Sequence, residues 1–261
     1  MFEELNRLTG WSLSCLPAHQ SILISGKDVD ASFLLHHFIS MFLKASQAVL
    51  LITAAQVESH YSVVCGKFGV SFEKCKNANK LFVIDLLQER LRDYLQDSCP
   101  TVDANNESRS AEAGTELALT LCQRIRAEVH RLSGEGQVLV VLDDITILPN
   151  IGIEVGEVAN LARSMRLLCQ TMPCVFLTQL QLNGFANMDS TLYPICKVNC
   201  TSEFSVEGLE TGYSKDVHGK VSVVIKEGDC VVDVAKHFTR QYKLSDRNLN
   251  LFAAGMSQAV L

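Results

Sequence analysis

Residues 137–144, Gln137-Val138-Leu139-Val140-Val141-Leu142-Asp143-Asp144, form an unbroken apolar run that ends in two carboxylates. A run this short and apolar reads as a strand buried on both faces, and an acid at its end is the form in which a metal-associated Asp is presented beside a phosphate loop. The loop itself belongs at the first strand-to-helix turn, Ser21-Ile22-Leu23-Ile24-Ser25-Gly26-Lys27-Asp28-Val29-Asp30-Ala31-Ser32-Phe33, which leads into an apolar helix over 34–43. Laid on the pattern G-x-x-x-x-G-K-[ST], the window from Ser25 to Ser32 puts Ser25 and Asp30 on the two glycines, Ala31 on the lysine and Ser32 on the hydroxyl. Only the hydroxyl is kept. The glycines would let backbone N–H groups wrap a phosphate, and the lysine would supply the balancing charge. Asp28 and Asp30 stand there instead. A carboxylate about 4 Å from a phosphate costs roughly 4 kcal/mol at an effective dielectric near 20. Lys27 falls inside the turn, four positions before the lysine slot. The reading is an ATPase-like core that does not hydrolyse ATP by itself.

The chain of 261 residues is 48% hydrophobic and 20% charged, enough for one large α/β domain with a sizeable core. Its first residues, Met1-Phe2-Glu3-Glu4, carry acid where a secretory signal needs basic charge, and no apolar run approaches a membrane span. An intracellular protein is expected, cytoplasmic and also nuclear. Ten cysteines are scattered without a C-x-x-C pair, which favours packed, reduced thiols over zinc. The net charge of -6 argues against a general nucleic-acid binder. Residues 48–159 hold 10 Lys/Arg against 16 Asp/Glu, whereas 160–261 hold 10 against 9, so a binding face is expected in the second half.

Strand and helix signals alternate: strand 22–24, helix 31–45, strand 48–53, helix 57–68, strand 81–84, helix 86–96. The polar stretch 98–114 reads as a mobile loop. Helix 115–132, the Asp-ended strand, helix 153–170 and strand 174–178 come next. Strands separated by helices pair in parallel. After residue 190 the signals change to strands over 193–200, 204–209, 219–225 and 239–244, expected to be antiparallel, with turns at Asp216–Val221 and Ser245–Asn248. A helix-flanked parallel sheet extended by antiparallel strands is the plan of RecA-type ATPase domains, here one domain over 1–261.

Several stretches carry a further signal: Asp30–Ser40, Ser59-His60-Tyr61-Ser62-Val63-Val64-Cys65-Gly66-Lys67-Phe68-Gly69-Val70-Ser71, Val140–Ile145, Gly208–Gly219 and the tail Phe252–Leu261. Together they resemble the family of sixth subunits of the vertebrate Elongator complex, over almost the whole chain. The resemblance implies a RecA-like fold with a degenerate phosphate loop, assembled with the fourth and fifth Elongator subunits into a hexameric ring of two copies each. It further implies that the ring binds tRNA and assists a catalytic subcomplex that modifies the wobble uridine of the anticodon. An NTPase with an irregular phosphate loop and a RecA-like DNA-recombination accessory protein stay open as other readings. In RecA-like rings nucleic acid meets the loops after the Asp-ended strand and the next one; here 145–160 and 179–195 contain no Lys or Arg.

No residue is assigned to catalysis, to a cofactor or to a metal, and membrane partners are not expected. Asp143 and Asp144 are expected to cap the next turn or face a subunit interface. His36 and His37 lie in an apolar helix, one of them against the sheet, and Ser32 is the expected helix N-cap with Asp30 as the alternative. Arg163 and Arg166, three apart on one helix face, suit RNA phosphate or a partner carboxylate. Lys215 and Lys220 bracket a hairpin tip with His218 and form the second candidate for RNA or an interface. The tail 249–261 is expected to dock on a neighbouring chain or on its own sheet.

Overall fold

The protein is described from a computed structural model, over residues 1–96, 106–182, 186–209, 214–226, 234–245 and 248–253. Five strands, β1 (Ser21–Lys27), β2 (Ala48–Thr53), β3 (Leu81–Asp85), β4 (Val138–Leu142) and β5 (Cys174–Leu182), alternate with helices as the apolar runs require. They join β6 (Ser202–Gly208), β7 (Gly219–Lys226), β8 (Val234–Leu244) and β9 (Leu249–Phe252) in a nine-stranded sheet of order β3-β2-β4-β5-β1-β6-β7-β8-β9. Pairing is parallel from β3 to β6 and antiparallel from β6 to β9.

Alternation along the strands feeds two cores. Ile22, Ile24, Leu139, Val141, Val175 and Leu177 point to the face covered by α2 (Ser32–Lys44), α3 (Glu58–Lys67) and α4 (Phe72–Asn77). Leu23, Val138, Val140, Leu142 and Phe176 point to the face covered by α6 (Asn106–Leu132), α7 (Val155–Thr171) and α8 (Ala186–Asn199), with α5 (Leu86–Gln96) beside them. Because helices lie on both sides, β4 is apolar at every position, whereas β7 alternates buried and half-buried residues. In α2 every residue from Phe33 to Leu43 is buried, His36 and His37 included. The short N-terminal helix α1 (Glu3–Thr9) closes over it: the Phe2 N–H donates to His37 Nδ1 at 3.2 Å, and His37 Nε2 lies 3.0 Å from Asn6 Oδ1. These partners fix a neutral ring with its proton on Nε2.

Four expectations are corrected. Residues 106–114 of the polar stretch form the first turns of α6, and 98–105 lie outside the described residues. Residues 193–199 belong to α8, not to a strand; Leu192, Cys196 and Cys200 are buried at four-residue spacing, a helical repeat that the β-prone Tyr193, Ile195 and Val198 obscure. β6 pairs in parallel with β1 before the antiparallel meander begins. Gly208 pairs with Gly219, so the expected turn Asp216–Val221 is not a hairpin tip: Gly219–Val221 lie in β7, Val217 is buried, the His218 N–H donates to the Tyr242 carbonyl, and 210–213 lie outside the described residues. Of the tail, residues 249–252 add β9 to the protein's own sheet, and 254–261 lie outside the described residues. No helix among the described residues is long and apolar enough to cross a membrane.

Candidate functional site

The carboxyl ends of β1, β4 and β5 meet at the crevice where open α/β sheets hold ligands. The β1–α2 turn there is closed. Ser25, Gly26 and Lys27, which the phosphate pattern assigns to a loop, are strand residues in register with Leu180–Leu182 on one side and Ser205–Glu207 on the other. Their backbone groups serve the sheet ladders and cannot wrap a phosphate. Only Asp28 to Ala31 remain to make the turn, and Asp28 adopts φ 59°, a left-handed conformation that Asp tolerates. Gln181 Nε2 reaches across from β5 and donates to the Val29 carbonyl at 3.0 Å. A Cβ on Gly26 would sit 2.6 Å from Gln181 Oε1 and 2.7 Å from the Val29 carbonyl, so glycine serves here to seal the turn. The start of α2 is served by Asp30, whose carboxylate accepts from the Ser32 N–H and the Ser32 hydroxyl, each at 2.8 Å. Ser32 is therefore the donor in this arrangement rather than the capping acceptor.

Asp143 is 2% exposed and its carboxylate is fully engaged. It accepts from the backbone N–H groups of Ala54 (2.7 Å), Ala55 (3.0 Å) and Gln56 (3.0 Å) and from the Tyr61 hydroxyl (3.1 Å), which clamps the β2–α3 connection to β4. Burial pushes the Asp143 carboxyl above the usual range, while these donors pull it back. Asp144 caps the short 3-10 turn Ile145–Ile147 through Oδ1, which accepts from the Thr146 N–H at 2.8 Å and from the Thr146 hydroxyl. Burial raises its carboxyl to about 6. The expected capping of the next turn therefore falls to Asp144 alone; Asp143 instead binds the preceding connection.

What is left of the crevice is a cleft of about 170 Å³ lined by Asp30, Tyr61, Asp143, Asp144, Gln179 and Gln181 among others. Small-molecule pockets generally measure roughly 300–1,000 Å³, so this cleft is smaller than the usual enclosed ligand pocket. Gln179, Gln181 and Tyr61 were not legible as site residues, although Thr178-Gln179-Leu180-Gln181 does interrupt an apolar strand with two amides at strand spacing.

The basic candidates lie on two different elements. Arg163 is exposed on α7, and Arg166 Nη1 lies 3.4 Å from the Val198 carbonyl of α8. Lys215 is exposed in the β6–β7 connection; Lys220 is the second residue of β7, where its ammonium meets Glu207 at 2.8 Å. Asp216 of the same connection pairs with Lys243 rather than with its neighbours. Among the described residues, the two stretches without Lys or Arg, 145–160 and 179–195, hold the 3-10 turns and start of α7, and the end of β5 with part of α8. Eight cysteines among the described residues are free thiols.

The fold is shared with a KaiC-like protein from the hyperthermophilic archaeon Pyrococcus horikoshii, at a TM-score of 0.58, 11% identity and 91% coverage of each chain. At that identity the likeness concerns the fold alone. The zebrafish (Danio rerio) protein named Elongator complex protein 6 is 28% identical over 273 residues, and its human counterpart 28% over 269, each covering the full length of both chains. The rat protein of that name is 29% identical over 273 residues, again at full length. A family model described as Elongation complex protein 6 matches residues 2–246. With a RecA-like sheet, a closed phosphate turn and this match, the chain belongs to the Elongation complex protein 6 family.

Proposed function

We propose that this chain is a non-catalytic subunit of Elongator that builds, with the fourth and fifth subunits, a hexameric RecA-like ring of two copies each. The ring binds tRNA and supports modification of the wobble uridine by the catalytic subcomplex, in the cytoplasm and nucleus. The observation that carries the non-catalytic role is the β1–α2 turn, where Gly26 and Gln181 seal the place of the phosphate loop. A RecA-like unit that has lost phosphate chemistry keeps the sheet and helices that ring assembly uses. Arg163, Arg166, Lys215 and Lys220 are our candidates for RNA or interface contacts, and residues 1–261 act as one domain.

Co-expression of the three subunits followed by native mass measurement tests the ring. A mass of six chains, two of each, is expected; a chain that stays monomeric beside both partners contradicts the reading. Magnesium-dependent ATP turnover by this chain alone would favour the NTPase alternative, and preference for single-stranded DNA over tRNA the recombination alternative.

A further inference from the structure

The cleft at the closed turn is lined by three carboxylates and, among the described residues, no Lys or Arg, and several of its donors are already committed within the chain. Its Tyr61 hydroxyl donates to Asp143, its Ser32 hydroxyl to Asp30, and its Gln181 amide to Val29. His60, also on the wall, packs its ring beside those of His36 and Tyr61. Against this, both hydrogen bonds to Asp144 fall on Oδ1, which leaves Oδ2 unbonded among the described residues. Gln179 is only 7% exposed, yet its Oε1 has no hydrogen-bond partner among the described residues. No Lys or Arg lines the cleft among the described residues, whereas Asp30, Asp143 and Asp144 do. A buried acceptor without a donor and a buried carboxylate without a cation are both unfavourable until something supplies them.

We infer that this cleft is an interaction site that receives the guanidinium of an arginine presented by a neighbouring protein chain. A guanidinium offers five donors in one plane and no acceptor, the complement of Asp144 Oδ2, Gln179 Oε1 and Asp30. It is also more weakly hydrated than an ammonium, which favours it in a narrow, partly desolvated cleft. The volume of about 170 Å³ holds such a head group and little more, so the rest of the ligand stays outside, as it does for a side chain carried on another protein's surface. The inference rests on the ring assembly proposed above, and the neighbour is a ring partner.

The test uses the full chain co-expressed with the fourth and fifth Elongator subunits. Asp144→Asn keeps an oxygen for Thr146 and removes the charge; Gln179→Leu removes the orphan acceptor at similar volume. Each variant, with its fold checked by thermal unfolding, is expected to weaken assembly by about tenfold or more. A photo-reactive p-benzoylphenylalanine in place of Gln56, at the cleft wall, is expected to cross-link to an arginine-containing peptide of a partner. Wild-type affinity in both variants, or cross-links confined to this chain or to tRNA, overturns the inference while leaving the ring reading standing. If the wild-type chain does not assemble, the ring reading fails. The cleft is then judged by titrating the isolated chain with arginine amide, where saturable binding lost in Asp144→Asn supports the site and no binding overturns it.

Discussion

Asp143, at the strand end where a metal-associated Asp would stand, serves a structural purpose. Three backbone N–H groups and a phenol converge on one buried carboxylate, so Asp143→Ala leaves four donors unpaired. A loss of roughly 3 kcal/mol or more is expected, read by chemical denaturation. Gly26→Ala places a methyl group against the Val29 carbonyl and the Gln181 amide, and is expected to destabilise by about 1–3 kcal/mol in the same measurement. Acid stability is a third residue-scale outcome. Burial holds His36 at about 4 and His37 at about 3, below the ordinary 6.5. Both are therefore neutral in the folded chain, and their contribution is complete above pH 6.5 and lost as pH falls below it, at roughly 1.4 kcal/mol per pH unit each. Asp144 acts in the opposite sense: its folded value of about 6 lies above the ordinary 3.8, so it returns stability as pH falls from 6 toward 4. The histidines outweigh it, and Tm is expected to fall between pH 7 and pH 5. Asp144→Asn removes the compensation, so a steeper fall is expected in that variant; an unchanged profile would contradict the assignment.

Among the elements, α1 depends on tertiary contacts, since a helix of Glu3–Thr9 is too short to stand alone. Phe2, 2% exposed, stacks on His37 with ring centroids 5.0 Å apart and meets Phe33 and Phe68 edge-on. Lys236 Nζ donates to the Thr9 carbonyl at 2.6 Å, tying the helix to β8. Phe2→Ala is expected to cost about 3–5 kcal/mol and to release amide-exchange protection in α1 first. The parallel half of the sheet was legible because runs such as Ala48–Ile52 and Val138–Leu142 are apolar at every position. The segment 193–199 was not, since β-branched and aromatic residues sit on a helix that is recognisable only by its buried repeat at Leu192, Cys196 and Cys200. The missing glycines and lysine were visible at the turn, but its closure was not: the Gln181–Val29 bond joins residues 152 apart in sequence, and local patterning does not report such contacts.

At the scale of the molecule, the net charge of -6 and the pairing of Lys220 with Glu207 lead us to expect, under the proposed function, only a minor contribution of this chain to RNA binding. Lys215→Ala with Lys220→Ala in the full ring is expected to weaken tRNA binding moderately and to reduce the salt slope by about one to two units, measured by filter binding at two salt concentrations. An unchanged slope with the ring intact would remove both lysines from the RNA site. Closure of the phosphate turn is tested most directly by titrating the isolated chain with magnesium–ATP. No saturable binding and no turnover are expected up to millimolar nucleotide; saturable micromolar binding with magnesium-dependent hydrolysis would show that the turn opens and would contradict it.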